Sequence, residues 1–241
     1  MVIKRRLNYA MIFMSNIKYF ADREDAGRQL AFALRDFKNT DCIVMALPRG
    51  GVVPATVVAE FLECPMGLIL VKKIGHPSYP EFAIGAVISD GTKIYNHSVL
   101  ATIPANWITQ SEQKAATILK DRQTKYFQGV TLLPDIKDKH LIVIDDGIAT
   151  GLTMQAAIKS LQNQHPREIT IAVPVASRAS VECLSPLADR IIVIEKPENF
   201  LGAVGAHYLK FEQVPDKVVR QKLREVQDAL HKKTSSYAPF A

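Results

Sequence analysis

Two adjacent carboxylates, Asp145 and Asp146, close the apolar run Leu141-Ile142-Val143-Ile144 and lead into Gly147-Ile148-Ala149-Thr150-Gly151-Leu152-Thr153. A pair of ionised acids at a strand tip accepts hydrogen bonds, and it suits a vicinal diol whose hydroxyls each donate one bond to a carboxylate oxygen. Gly147 and Gly151 let the backbone turn tightly. Thr150, Gly151, Leu152 and Thr153 then open a helix, where amide N–H groups and hydroxyls favour a phosphate. Taken singly, Asp-Asp-Gly is a turn and Thr153 a helix cap. Taken together at this spacing, they place a diol site and a phosphate site one sugar apart.

Such a segment works only if rigid elements hold it. The chain alternates helix-spaced and continuous apolar stretches: a helix over residues 23–37, a strand over 42–47, a helix over 52–62 and a strand over 67–71. The first strand breaks at Pro48-Arg49-Gly50-Gly51, a glycine turn. Apolar runs over 82–88 and 92–95 flank Ser89-Asp90-Gly91 and read as a hairpin. A long, half-exposed helix over about 104–127 follows. Alternation then resumes with strands over 140–144, 169–173 and 191–194, helices over about 152–161 and 177–184, and a C-terminal helix over about 215–231. β-Branched runs without polar alternation are what strands buried on both faces require. The expected class is therefore α/β, a mainly parallel twisted sheet covered by helices. Ligands in such sheets lie beyond the carboxyl ends of the strands.

Composition agrees with one elaborated domain. The 241 residues are 48% hydrophobic and 22% charged, an ordinary globular balance. The net charge of +6 gathers at the two ends and leaves the middle near neutral, so no basic docking face for nucleic acid is expected. Cys42, Cys64 and Cys183 lack CxxC spacing, which excludes a disulfide framework and a zinc site and suits a reducing, cytoplasmic setting. No run approaches the roughly 18 apolar residues of a membrane span. Residues 1–13 read as an extension without an assigned role, Met14 being a natural alternative start, and residues 14–241 as the domain proper.

The 141–154 segment resembles the phosphoribosyl pyrophosphate (PRPP) motif of the type I phosphoribosyltransferases: four apolar residues, two acids, and a small-residue loop ending Thr-Gly-x-Thr. A Walker loop, a dinucleotide fingerprint and an Asp-x-Asp phosphatase pair are all absent from the sequence. Pro48–Gly51 stands where the family's pyrophosphate loop stands, and Val71-Lys72-Lys73-Ile74-Gly75-His76 with the hairpin beyond matches its flexible hood, a hairpin and helix insertion over about 73–139. Residues from about 22 to 215 are similar to a bacterial branch with PRGG, AIGA and VDDGIATG-type motifs, here Pro48–Gly51, Ala83-Ile84-Gly85-Ala86 and 144–151.

The resemblance implies displacement of pyrophosphate from C1′ of PRPP through a transition state with oxocarbenium character. Asp145 and Asp146 would hold the ribose, and Gly147, Ala149, Thr150, Gly151, Leu152 and Thr153 the 5′-phosphate. Arg49, Gly50, Gly51, Lys72 and Lys73, with His76 as a further cation, would meet the pyrophosphate. Mg²⁺ would travel with the substrate and meet Asp145 and Asp146 indirectly. The acceptor pocket falls in 195–207, with Phe200 a candidate stacking face. Ala149 stands where purine-salvage members carry an aspartate, as in orotate-type members. The hood departs from the latter because Pro77 follows His76. The acceptor is left open, and a homodimer is expected by analogy. The alternative reading is a non-catalytic PRPP or nucleotide sensor on the same fold.

Overall fold

A computed structural model describes residues 19–80, 82–130 and 135–236. The extension over 1–13 lies outside the described residues. Among the described residues, eight strands divide between two sheets. The larger contains β1 (Cys42–Ala46), β2 (Met66–Leu68), β6 (His140–Ile144), β7 (Glu168–Val175) and β8 (Arg190–Glu195). All five are parallel, in the order β2-β1-β6-β7-β8. The smaller contains β3 (Val71–Gly75), β4 (Ala83–Ile88) and β5 (Lys93–Tyr95), antiparallel and in the order β3-β4-β5.

Every residue of β1 and β6 is buried, as the unbroken apolar runs require for strands covered on both faces. On one face pack α1 (Arg23–Ala33), α2 (Val52–Leu62) and α7 (Asp216–Ser236). The core there joins Leu30, Val58 and Leu62 to Val44, Ile142, Val219 and Leu223. On the other face α5 (Leu152–Gln162) brings Met154, Ile158 and Leu161 against Val143, Ile171 and Val173. The long helix α4 (Ala105–Phe127) buries only Ala115, Leu119 and Tyr126, in keeping with its polar sequence. Short helices α3 (His97–Leu100) and α6 (Arg178–Leu184) complete the set. Among the described residues no helix is long and apolar enough to cross a membrane.

The α/β class holds, and three details differ from the sequence reading. The helix expected over 23–37 ends at Ala33 and finishes in a separate 3-10 turn, Arg35–Phe37. The single strand expected over 67–71 is two strands in different sheets. Ile69 N–H still bonds Ala46 O (3.0 Å), whereas Leu70 O accepts from Ser89 N in the small sheet (3.1 Å). An apolar run specifies burial but not which sheet buries it. Consequently the hairpin gains a third strand, and Lys72 and Lys73 lie on β3, not on a loop.

The small sheet is fastened at its base. Asp90, in the β4–β5 turn, accepts a 2.6 Å hydrogen bond from Ser160 Oγ on α5.

Candidate functional site

The strand β6 ends at Ile144, and the next ten residues build the centre of the site. Gly147, at φ +156°, turns the chain where a side chain would strike Val204 and Val175 at 2.6 and 2.9 Å. Ile148 N–H then bonds Val175 O (2.8 Å) and Ile148 O accepts from Ser177 N (3.1 Å). The Ala149 carbonyl takes two hydroxyls, Ser177 Oγ at 2.9 Å and Ser180 Oγ at 2.7 Å. Gly151, left-handed at φ +80°, opens α5. The loop is thus stitched to the end of β7, and the first amides of α5 have no partner within the helix.

A cavity of about 350 Å³ lies above this loop, lined by Lys73, Asp145, Asp146, Gly147, Ala149, Thr150, Gly151 and Thr153 together with Ile148, Met154, Val204 and Phe211. Eight of the residues singled out in the sequence therefore meet around one space. Lys73 comes from the small sheet and lines the cavity together with the acid pair.

The two acids differ in surroundings. Asp145 Oδ1 accepts from Asp146 N (2.8 Å). Burial and the negative charge of Asp146 push the Asp145 carboxyl well above the usual carboxylate range, with Lys73 opposing. Asp146 Oδ2 instead accepts a 2.8 Å charge-assisted bond from Arg23 Nε, with the two side chains only 14% and 11% exposed. Tyr208 Oη donates to Asp146 O (2.6 Å), and burial raises that phenol's pKa. Among the described residues no three His, Cys, Asp or Glu side chains cluster as a metal site. Asp145 and Asp146 are the carboxylates at this cavity that could meet a cation, directly or through water.

The loop after β1 packs against the acid pair from the neighbouring strand. Leu47 N–H bonds Ile144 O (2.9 Å), and Gly51 packs so closely that a Cβ would lie 2.8 Å from Asp145 Cα. A Cβ at Gly50 would fall 1.8 Å from Asp146 Oδ2, so a side chain there would displace the Asp146 carboxylate from its present position. The Pro48–Arg49 peptide is cis.

Other expected residues lie off the cavity wall. Arg49 Nη1 is 3.7 Å from Asp216 Oδ1 on α7. Lys72 alternates with Lys73 on β3 and faces away from it. His76 Nδ1 accepts from Ser78 N (3.1 Å), and its ring neighbours Tyr79 and Phe82 at the tip of the small sheet. Phe200 stacks on the buried His207 with ring centroids 4.9 Å apart. The aromatic on the cavity wall is Phe211.

Sequence reasoning missed Arg23, Tyr208, Phe211, Ser177 and Ser180. Nothing local marks the first three, because Arg23 and Asp146 are 123 positions apart. Ser177 and Ser180 had a local signal, the N-cap spacing at the start of α6.

A parallel sheet with an acid pair and a helix-opening loop at the tip of its middle strand, beneath a small antiparallel sheet, defines the phosphoribosyltransferase class of α/β proteins. The chain belongs to the phosphoribosyl transferase domain family, whose model matches residues 16–210. A curated protein of Mycobacterium tuberculosis strain H37Rv, provisionally named a phosphoribosyl transferase, is 34% identical over 202 residues, and its counterpart in strain CDC 1551 matches equally. The match covers 83% of this chain and 45% of each relative, so the chain spans about half their length. The crystal structure of TT1426 from Thermus thermophilus superposes with a TM-score of 0.73 at 36% identity, covering 86% of this chain and 98% of that one.

Proposed function

We propose that this chain is a phosphoribosyltransferase that uses PRPP as the donor of ribose 5-phosphate and displaces pyrophosphate with a nucleobase-like acceptor, in nucleotide salvage or synthesis. The observation that carries the reading is the convergence of Asp145, Asp146 and Lys73 with Thr150, Gly151 and Thr153 of the helix start on one cavity of about 350 Å³. An acid pair for a diol, a helix N-terminus for a phosphate and a cation on the same cavity match a phosphorylated ribose with an anionic leaving group.

In this reading Asp145 and Asp146 hold the ribose hydroxyls, and the amides and hydroxyls of Gly147, Ala149, Thr150, Gly151, Leu152 and Thr153 hold the 5′-phosphate. Lys73 and the Gly50-Gly51 backbone receive the pyrophosphate, with Arg49 of the same loop as a further cation once it leaves Asp216, while Lys72, on the opposite face of β3, is not part of this site. Positive charge grows at C1′ as the leaving group departs, so catalysis comes from positioning and from fixed charges aimed at both ends of the breaking bond. Mg²⁺ on the pyrophosphate, reached indirectly by Asp145 and Asp146, supplies charge neutralisation to the leaving group. The small sheet stands over the reacting centre and limits water there. Residues 14–241 act as one unit in this proposal, as a homodimer in the cytoplasm, a compartment in which free thiols such as Cys42, Cys64 and Cys183 persist.

The test is calorimetric titration of PRPP with Mg²⁺, followed by pyrophosphate release with a panel of purine and pyrimidine bases. Mg²⁺-dependent binding with base-dependent release is the expected result and names the acceptor. Binding without release across the panel would replace the transferase by a sensor. Failure of Asp146→Ala to weaken PRPP binding would overturn the site assignment.

A further inference from the structure

Asp146 is surrounded by groups that come from separate parts of the chain. Arg23 Nε, from the first turn of α1, bonds Oδ2 at 2.8 Å. Gly50, from the loop after β1, lies against the same oxygen, where a side chain would displace the carboxylate. Tyr208 holds the main-chain carbonyl of Asp146. Arg23 is itself fixed, its guanidinium 3.7 Å from the centroid of the Phe211 ring and its Nη1 donating to Glu212 O at 2.7 Å. A planar cation clamped by a ring face, a carbonyl and a carboxylate has little freedom left.

The consequence concerns which oxygens meet a ligand. Asp145 spends Oδ1 on the Asp146 amide, and Asp146 spends Oδ2 on Arg23. Both acids line the cavity, and Asp146 Oδ1 takes no part in the bond to Arg23. We propose that Arg23 is a positioning residue for sugar recognition: it locks the Asp146 carboxylate so that Oδ1 presents to one hydroxyl of the ribose diol. This inference rests on the PRPP reading above. It adds a residue from the N-terminal helix, outside both sequence motifs, that acts on the sugar and not on the phosphates.

The distinction supplies the test. Inorganic pyrophosphate has no hydroxyl for Asp146, whereas PRPP does. Calorimetry with Mg²⁺ present compares the affinities of PRPP and of pyrophosphate in wild type, Arg23→Gln, Asp146→Asn and the double variant. Arg23→Gln is expected to weaken PRPP about tenfold or more, the scale of a hydrogen bond to a charged group, and to change pyrophosphate affinity by less than about twofold on the same scale. In the Asp146→Asn background the Arg23→Gln effect on PRPP is expected to vanish, because the carboxylate it orients is gone. Arg23→Lys, which keeps the charge over Phe211 but not the planar fork, is expected to restore part of the PRPP affinity, and it carries the same comparison should Arg23→Gln fold poorly.

Parallel loss of PRPP and pyrophosphate affinity, or unchanged PRPP affinity, would overturn the inference while leaving the PRPP reading intact. Absence of PRPP binding to the wild type would overturn both.

Discussion

Arg49 Nη1 lies 3.7 Å from Asp216 Oδ1, and Tyr126 Oη donates a 2.7 Å hydrogen bond to that same oxygen. One carboxylate at the start of α7 thus joins the loop after β1 to the buried end of α4. It also offsets part of the charge that Arg49 could offer an anion. Asp216→Asn is expected to raise affinity for Mg²⁺-pyrophosphate by about twofold to fivefold at low salt, the range for partly exposed pairs, and the gain should shrink as salt is added. A calorimetric series at two ionic strengths checks this. A gain that persists in the Arg49→Ala background would assign it to general charge and not to Arg49.

Gly147 and Gly151 both have positive φ, yet they should respond differently to alanine. At Gly151 the nearest atom to a Cβ is 3.6 Å away, so only the left-handed backbone resists, at about 1–2 kcal/mol. At Gly147 a Cβ also meets Val204 at 2.6 Å and Val175 at 2.9 Å, adding an overpacking cost of about 1–3 kcal/mol. Urea denaturation of the two variants should place Gly147→Ala clearly below Gly151→Ala, and equal midpoints would contradict the geometry.

Asp145 is expected to cost stability near neutral pH. Its folded-state pKa is raised by burial and by Asp146, so a carboxyl that ionises readily in the unfolded chain does so reluctantly in the fold. The cost is absent below its ordinary value of 3.8 and grows as pH rises toward the folded-state pKa. Asp145→Asn keeps the acceptor for Asp146 N–H and removes the charge. Its melting temperature at pH 7 should exceed that of the wild type while PRPP binding is lost. A lower melting temperature would show that the ionised acid stabilises the fold.

His207 is fully buried, and among the described residues its Nδ1 has no hydrogen-bond partner. Burial lowers its pKa below the ordinary 6.5, with Glu195 opposing; His140, also buried, is shifted the same way, with Glu168 opposing. The unfolded chain therefore binds more protons than the fold once pH drops below about 6.5, and stability falls with it. His207→Phe should flatten that decline between about pH 6.5 and pH 5. Denaturation midpoints measured across this range test it, and an unchanged slope would assign the decline to His140 or elsewhere.

Much of the site was legible because it is local. A strand, two acids and a glycine-punctuated turn into a helix occupy consecutive residues from Leu141 to Thr153, and each conformation follows from periodicity and backbone freedom within a few positions. The same holds for β1 with its glycine turn, and for α2, α5 and the alternation that makes a parallel sheet. Lys73 is legible in the sequence as a hood cation, whereas the strand that carries it, β3, is not, because the expected strand stops at residue 71.

The sequence by itself determined the α/β class, most of the order of its elements and the local conformation of the acid pair and of the loop that opens α5, since short-range patterns dictate all of these. Only the tertiary structure decided that Met66–Leu68 and Val71–Gly75 part into two sheets, that Arg49 reaches Asp216 and not the cavity, that Phe211 and not Phe200 forms its wall, and that Arg23 takes Asp146 Oδ2. Those relations join residues far apart in the chain. They arise from how packed helices and strands bring side chains together, and no local pattern records it.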